Sequence, residues 1–180
     1  MEQLVVKLQG VEVSYLDQTI LQIAHLNVHQ FDRIGIVGKN GSGKSTLLKL
    51  IHGSLQGDSR FVQRQMEFAY FEQKEAPSDK QVNRKWLDHW QVPIAETEEM
   101  SGGEQTRLKL SQLFTHYFEG MLIDEPTTHL DEEGIAVLME ELTHYYGALI
   151  LVSHDRTFIK EVADVVYQIE EQQRLEKREV

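Results

Sequence analysis

The chain has 180 residues, enough for one domain with a proper core, and 41% hydrophobic with 26% charged residues is the balance of a globular protein. A formal net charge of −11 argues against a general nucleic-acid coat, which needs clustered Lys and Arg, and leaves room for no more than a small basic patch, so direct DNA binding is not expected. No apolar run approaches the roughly 20 residues that span a bilayer, Met1 to Gly10 lacks the layout of a secretory signal, and the absence of cysteine fits a reducing cytosol.

In chain order, Leu4–Leu8 and Val11–Tyr15 read as early strands, followed by Leu26–Val28 and Arg33–Val37. His25 and His29 share the outward face of the third of these, too far apart along it to share a metal, and read as surface residues. The strand at Arg33–Val37 runs into Gly38-Lys39-Asn40-Gly41-Ser42-Gly43-Lys44-Ser45, which fits G-x-x-x-x-G-K-[ST]. Glycine adopts backbone angles closed to other residues, so such a loop can turn its N–H groups around a polyphosphate. Lys44 would reach the β and γ phosphates and the Ser45 hydroxyl would bind Mg²⁺, with Thr46 in the first turn of the helix that follows. The phosphate-binding set is therefore Gly38, Asn40, Gly41, Ser42, Gly43, Lys44, Ser45 and Thr46. A plain glycine-rich turn would need neither the lysine nor the amphipathic helix expected over Lys44–His52.

Trp86, Leu87 and Trp90 fit one face of a short helix, so core packing is the expected role of both tryptophans. Ser101 and Glu104 form an S-x-x-E capping box before a helical pattern over Glu104–Tyr117. The box does not explain Gly102 and Gly103, because glycine disfavours a helix's first turn. Two residues without side chains at that place let backbone donors close on an anion. A short apolar strand at Met121–Ile123 ends in Asp124 and Glu125. There Asp124 can hold Mg²⁺ through water and Glu125 can polarise an attacking water. Helical periodicity returns over Asp131–His144 and Asp155–Ala163, separated by a strand at Leu149–Val152, and Asp131 and Asp155 are both ready N-caps. Glu170 to Val180 is charged, has no core-forming face, and reads as the start of an exposed helix or linker. Strand alternating with helix predicts an α/β fold whose mainly parallel sheet is covered on both faces, in one compact domain over residues 1–180.

"EMSGGEQTRLKL" at Glu99–Leu110 resembles the signature of ABC ATPases, and other motifs of that family stand in order around it. The resemblance implies that Tyr15 stacks on adenine and that Gln73, in "AYFEQ", senses Mg²⁺ and the γ phosphate. It likewise makes Ser101, Gly102 and Gly103 the part that completes a partner's nucleotide site. "HLD" at His129–Asp131 matches the loop that crosses between paired domains, and His154 in "VSHDR" matches the switch histidine. Read alone, Tyr15 could be a core or surface aromatic, and His154 an incidental loop residue. "SGGEQTR", "DEPTTHLD" and "SHDRTF" resemble the ABC-F family, whose members lack membrane domains and act on ribosomes. Only 27 residues separate Gln73 from Ser101, a compactness similar to the N-terminal ATPase domain of antibiotic-resistance ABC-F proteins.

The resemblance implies an ABC-type P-loop ATPase domain with a mainly parallel core sheet, an N-terminal antiparallel β part and a short helical subdomain at about residues 74–118. ATP and Mg²⁺ are the implied cofactors. Ser45, Gln73 and Asp124 are the implied Mg²⁺ ligands, and Lys44, Glu125 and His154 the implied catalytic residues. The implied partners are a second ABC domain, in the same longer chain or in a homodimer, and the ribosome, in the cytoplasm and without membrane insertion. Two rival readings share these residues: the ATPase subunit of a membrane transporter, and a clamp for which ATP-driven closure matters and turnover only resets it.

Overall fold

The computed structural model describes residues 3–56, 61–72, 76–77, 82–170 and 174–178. Two twelve-residue strands, β1 (Leu4–Tyr15) and β2 (Gln18–His29), form an antiparallel hairpin. Its two-residue turn places Leu16 and Asp17 at φ 47° and 61°, the left-handed pair whose twist matches the flanking strands. The two early strands expected from the sequence are therefore one, continuous through Gly10, and the segment expected at Leu26–Val28 begins eight residues earlier. The short strand β4 (Val62–Arg64) completes this sheet on the other side of β1.

The second sheet has the order β5-β6-β7-β3-β8-β9. Its strands are β3 (Arg33–Gly38), β5 (Ala69–Phe71), β6 (Gly120–Asp124), β7 (Ala148–Val152), β8 (Val165–Ile169) and β9 (Leu175–Arg178). All pairs are parallel except β8–β9. Leu175–Arg178 corrects the helix or linker expected from Glu170 onward. Leu175 is buried, and the backbone pairs antiparallel with Val166–Ile169, which the charged composition of Glu176 to Arg178 concealed.

The central strand β7 is buried along its whole length. Ala148, Ile150 and Val152 face a core shared with the β1–β2 hairpin and helix α1 (Lys44–His52), while Leu149 and Leu151 face α4 (Glu132–His144) and α5 (Arg156–Val162). Burial on both faces is what makes such a strand read as an uninterrupted apolar run. On the α1 side, Leu47, Leu48, Leu50 and Ile51 are fully buried, each contributing about 1.5–3 kcal/mol. On the other side Gly35 admits α5, since a Cβ there would lie 2.8 Å from the Ile159 side chain. The region between β5 and β6 holds α2 (Arg84–His89) and α3 (Gly102–Phe114). Trp90 is buried and, with Trp86, stacks on Phe114 at 5.9 and 5.8 Å, so both tryptophans pack as expected.

Helix ends packed on the sheet leave carbonyls to satisfy, and arginines do so. Arg64 donates to Leu50 O and Ile51 O at the end of α1. Arg33 donates to Val162 O at 2.8 Å, Leu142 O at 2.7 Å and Tyr145 O at 3.3 Å, closing the ends of α5 and α4 together. Burial lowers the Arg33 pKa, offset by Asp164, yet a guanidinium remains charged at any accessible pH. Arg33→Met should therefore destabilise the fold by about 3 kcal/mol, the effect of leaving carbonyls without charged donors. In urea the midpoint should fall with the slope unchanged. A midpoint within error of the unsubstituted chain would remove Arg33 from this role.

Candidate functional site

β3, β6 and β7 are parallel and adjacent, so their C-terminal ends meet at one edge of the sheet, where α/β folds bind ligands. The Gly38 loop leaves β3 there, Asp124 and Glu125 leave β6, and Ser153 and His154 leave β7. Register aligns Ile36 with Val152 and Val152 with Asp124.

In the loop, Gly41 and Gly43 take φ 77° and 99°, and Gly43 is the left-handed N-cap of α1. A Cβ on Gly43 would lie 2.9 Å from Ile20 O, so this glycine is fixed by the hairpin packed against it as well as by its backbone angle. The same contact brings the β1–β2 turn, with Tyr15 two-thirds exposed at its base, to the loop's flank. Lys44 is buried and donates to Gly38 O at 3.0 Å and Lys39 O at 2.9 Å. Burial lowers its pKa, while the negative charges of Glu125 and Asp124 act to raise it. Ser45 is exposed and Thr46 half-buried at the start of α1, while Asn40 is exposed on the loop.

Asp124 is buried at the end of its strand. Glu125 takes φ 50°, a left-handed angle that costs a residue with a Cβ about 1 kcal/mol or more, and its N–H donates to Val152 O at 2.9 Å. Its carboxylate accepts the His154 backbone N–H at 3.1 Å through Oε2, and Oε1 lies 3.0 Å from His154 Nε2. That second approach has ion-pair distance without hydrogen-bond alignment, and Oε1 is a buried oxygen with no hydrogen-bond partner among the described residues. Ser42 Oγ is another. Two orphaned polar atoms and a buried ammonium around one glycine cradle suit a polyanion with its counter-cation. The donor set of Ser45 hydroxyl and Asp124 carboxylate suits a hard cation such as Mg²⁺. Gln73 lies outside the described residues.

Ser101, Gly102 and Gly103 stand apart from this cluster, at the start of α3. The capping box forms in full, with Ser101 Oγ accepting from Glu104 N at 3.3 Å and Glu104 Oε2 accepting from Ser101 N at 2.7 Å. The glycines occupy the first turn, where a Cβ on Gly103 would lie 2.7 Å from His129 O and one on Gly102 3.4 Å from the His129 ring. Close packing of the His129–Asp131 turn is thus a second reason for glycine there, one the sequence did not offer. Asp131 caps α4 through Gly134 N at 2.9 Å, as expected, and Asp155 caps α5 through Thr157 N and Phe158 N.

Two residues of this region carried no expectation. Ser153 is buried, donates or accepts with Thr127 Oγ1 at 3.4 Å and accepts Asp155 N at 3.1 Å. Arg107 binds Asp131, 24 residues away, and only their separate helical patterns were visible in the sequence.

The family model described as ABC transporter matches residues 21–86. The chain is similar to "Ribosome protection protein VmlR" of Bacillus subtilis (strain 168), 38% identical over 177 residues, covering 96% of this chain and 32% of that protein. It is similar also to "Erythromycin resistance ATP-binding protein MsrA" of Staphylococcus epidermidis, 37% identical over 174 residues, covering 95% of this chain and 36% of that protein. The chain therefore spans about a third of the length of these curated relatives. Among solved structures, "RNase-L Inhibitor" superposes with a TM-score of 0.84 at 21% identity over 97% of this chain and 39% of that one, a likeness of fold. Among the described residues no helix is long and apolar enough to cross a membrane.

Proposed function

We propose, from the premise that this chain belongs to the ABC-F family of ATP-binding cassette proteins, that it binds MgATP at the Gly38–Ser45 loop and hydrolyses it in composite sites shared with a second such domain. The observation that supports this reading best is the meeting of Lys44, Asp124, Glu125 and His154 at one sheet edge, with Ser101–Gly103 held on a separate element.

Within a site, Lys44 would turn its ammonium from the Gly38 and Lys39 carbonyls to the β and γ phosphates. Tyr15 would offer its exposed ring to the adenine. Bound Mg²⁺ would neutralise charge on the phosphate oxygens, held by Ser45 and Asp124, and the proposed ligand Gln73 completes that set. Glu125 would take the proton of the attacking water through its carboxylate. The His154 backbone N–H fixes that carboxylate's direction, and the His154 ring steadies the γ phosphate. Ser101–Gly103 would serve the partner's nucleotide. Positioning and charge neutralisation suffice, and no covalent intermediate is required.

The similarity to a ribosome protection protein and to an erythromycin resistance protein supports a role in a cytoplasmic ABC-F protein that acts on ribosomes and confers antibiotic resistance. Co-sedimentation with ribosomes in the presence of ATP tests that role, and recovery with a membrane permease instead would favour the transporter subunit.

The composite site itself predicts that turnover per chain rises with protein concentration. Chains of net charge −11 repel, so association should strengthen with salt. Ser101→Arg should block closure and leave single-chain binding intact. Rapid turnover that stays constant down to monomeric concentrations would sink the composite site.

A further inference from the structure

The start of α3 and the His129–Asp131 turn are sewn together inside the chain. Arg107 lies one and a half turns into α3, with its side chain only 12% exposed. One of its nitrogens, Nη2, is 2.6 Å from Asp131 Oδ1, and Nη1 donates to Trp90 O and Gln91 Oε1, both at 3.3 Å. The oxygen it binds is the one that accepts Gly134 N at 2.9 Å, so a single atom starts α4 and anchors α3. Gln91 continues the chain of contacts to Glu133 Oε1 at 2.6 Å. At both ends of this network the backbone is in the left-handed region, Gln91 at φ 51° and His129 at φ 69°, and His129 O is the atom that closes on Gly103. Left-handed angles at residues bearing a Cβ persist where surrounding contacts over-determine them.

We infer that Arg107 is a positioning residue for the partner's reaction: through Asp131 it locks Ser101–Gly103 to the His129–Asp131 turn, so that both are presented to a second domain as one rigid surface. This rests on the composite-site reading above. A guanidinium suits the task because its planar fork binds a carboxylate and two further acceptors at fixed angles, which an ammonium cannot do.

A group that acts only in trans has a signature that a merely structural role lacks. Arg107→Gln should keep nucleotide affinity and lower turnover at saturating ATP by roughly 10- to 100-fold, the scale of an ångström-level misplacement. An equimolar mixture of Arg107→Gln and Lys44→Ala chains, each nearly inactive, contains mixed pairs. One site of each mixed pair joins the intact loop of the first chain to the intact α3 of the second. The mixture should regain about a quarter of the unsubstituted turnover, since half the pairs are mixed and one site of two is whole. If Arg107 served its own chain's loop, that same site would be defective and nothing would return. Asp131→Ser keeps an oxygen able to cap Gly134 N but is too short to offer Arg107 the carboxylate it binds. It should repeat the Arg107→Gln result with its melting temperature little changed, and it carries the test should Arg107→Gln fail to fold. Normal turnover in Asp131→Ser would overturn the route through Asp131. Arg107→Lys should recover part of the loss. Ser101→Ala mixed with Lys44→Ala is the reference, since it removes the hydroxyl offered to the partner without the bulk that would keep the whole pair from closing. Recovery there without recovery for Arg107→Gln overturns the role of Arg107 alone, whereas recovery in neither mixture, or no turnover by the unsubstituted chain, overturns the composite site.

Discussion

Glu125→Gln should leave nucleotide binding intact and slow hydrolysis by roughly 10²-fold or more. The substitution conserves what the structure shows to be positional. An amide oxygen can still accept the His154 N–H that now binds Oε2 at 3.1 Å, and an amide NH₂ can face His154 Nε2, which now lies 3.0 Å from Oε1. The left-handed backbone of Glu125 and its bond to Val152 O are indifferent to the change. What is lost is basicity alone, because an amide does not accept a proton from water near neutral pH. The variant should therefore accumulate as an ATP-bound pair, visible as a concentration-dependent shift in size that needs ATP. Lost binding with residual turnover would make Glu125 a binding group and move the base elsewhere.

Lys44→Ala should abolish detectable hydrolysis and weaken ATP binding by roughly 10- to 100-fold, the range of a charged hydrogen bond deprived of its donor. Lys44 is a buried cation at the sheet edge, and its removal takes a positive charge away from Asp124, Glu125 and the phosphates of a bound nucleotide. The fold should tolerate the loss, since the two carbonyls that Lys44 binds lie at the end of β3, where Gly38 is half-buried and Lys39 exposed. Calorimetric titration with ATP beside a thermal melt separates the two effects. Unsubstituted turnover by a folded Lys44→Ala chain would take Lys44 out of the chemistry.

The parallel part of the fold was legible because its elements announce themselves locally. β3, β6 and β7 are apolar runs, and the helices expected at Lys44–His52 and Asp131–His144 differ from those observed by at most one residue. The candidate loop was legible because Gly38, Gly41, Gly43, Lys44 and Ser45 all fall within eight consecutive residues. The hairpin was half hidden, since a two-residue turn of this type usually carries Asn-Gly and here carries Leu16-Asp17. β4 and β5 are three residues each, too short to show a period, and β9 has one apolar side chain in four residues. Arg107 escaped for another reason. Its meaning depends on Asp131, and no window of sequence contains both as neighbours.

The thirteen residues of α3 make a rod about 20 Å long with a different task at each end. Ser101 and the two glycines sit at its tip, and Phe114 at its base stacks with both Trp86 and Trp90. Rods convert angle into distance. A tilt of about 10° at the Phe114 end carries the Ser101 end by roughly 3 Å, several times the 0.5 Å or so within which a catalytic constellation must be held. In the composite site proposed above, a partner's chemistry would be geared to how three aromatic rings stack at the far end of this helix. Two of those rings are the chain's full complement of tryptophan, which makes their indole emission a built-in gauge of the lever.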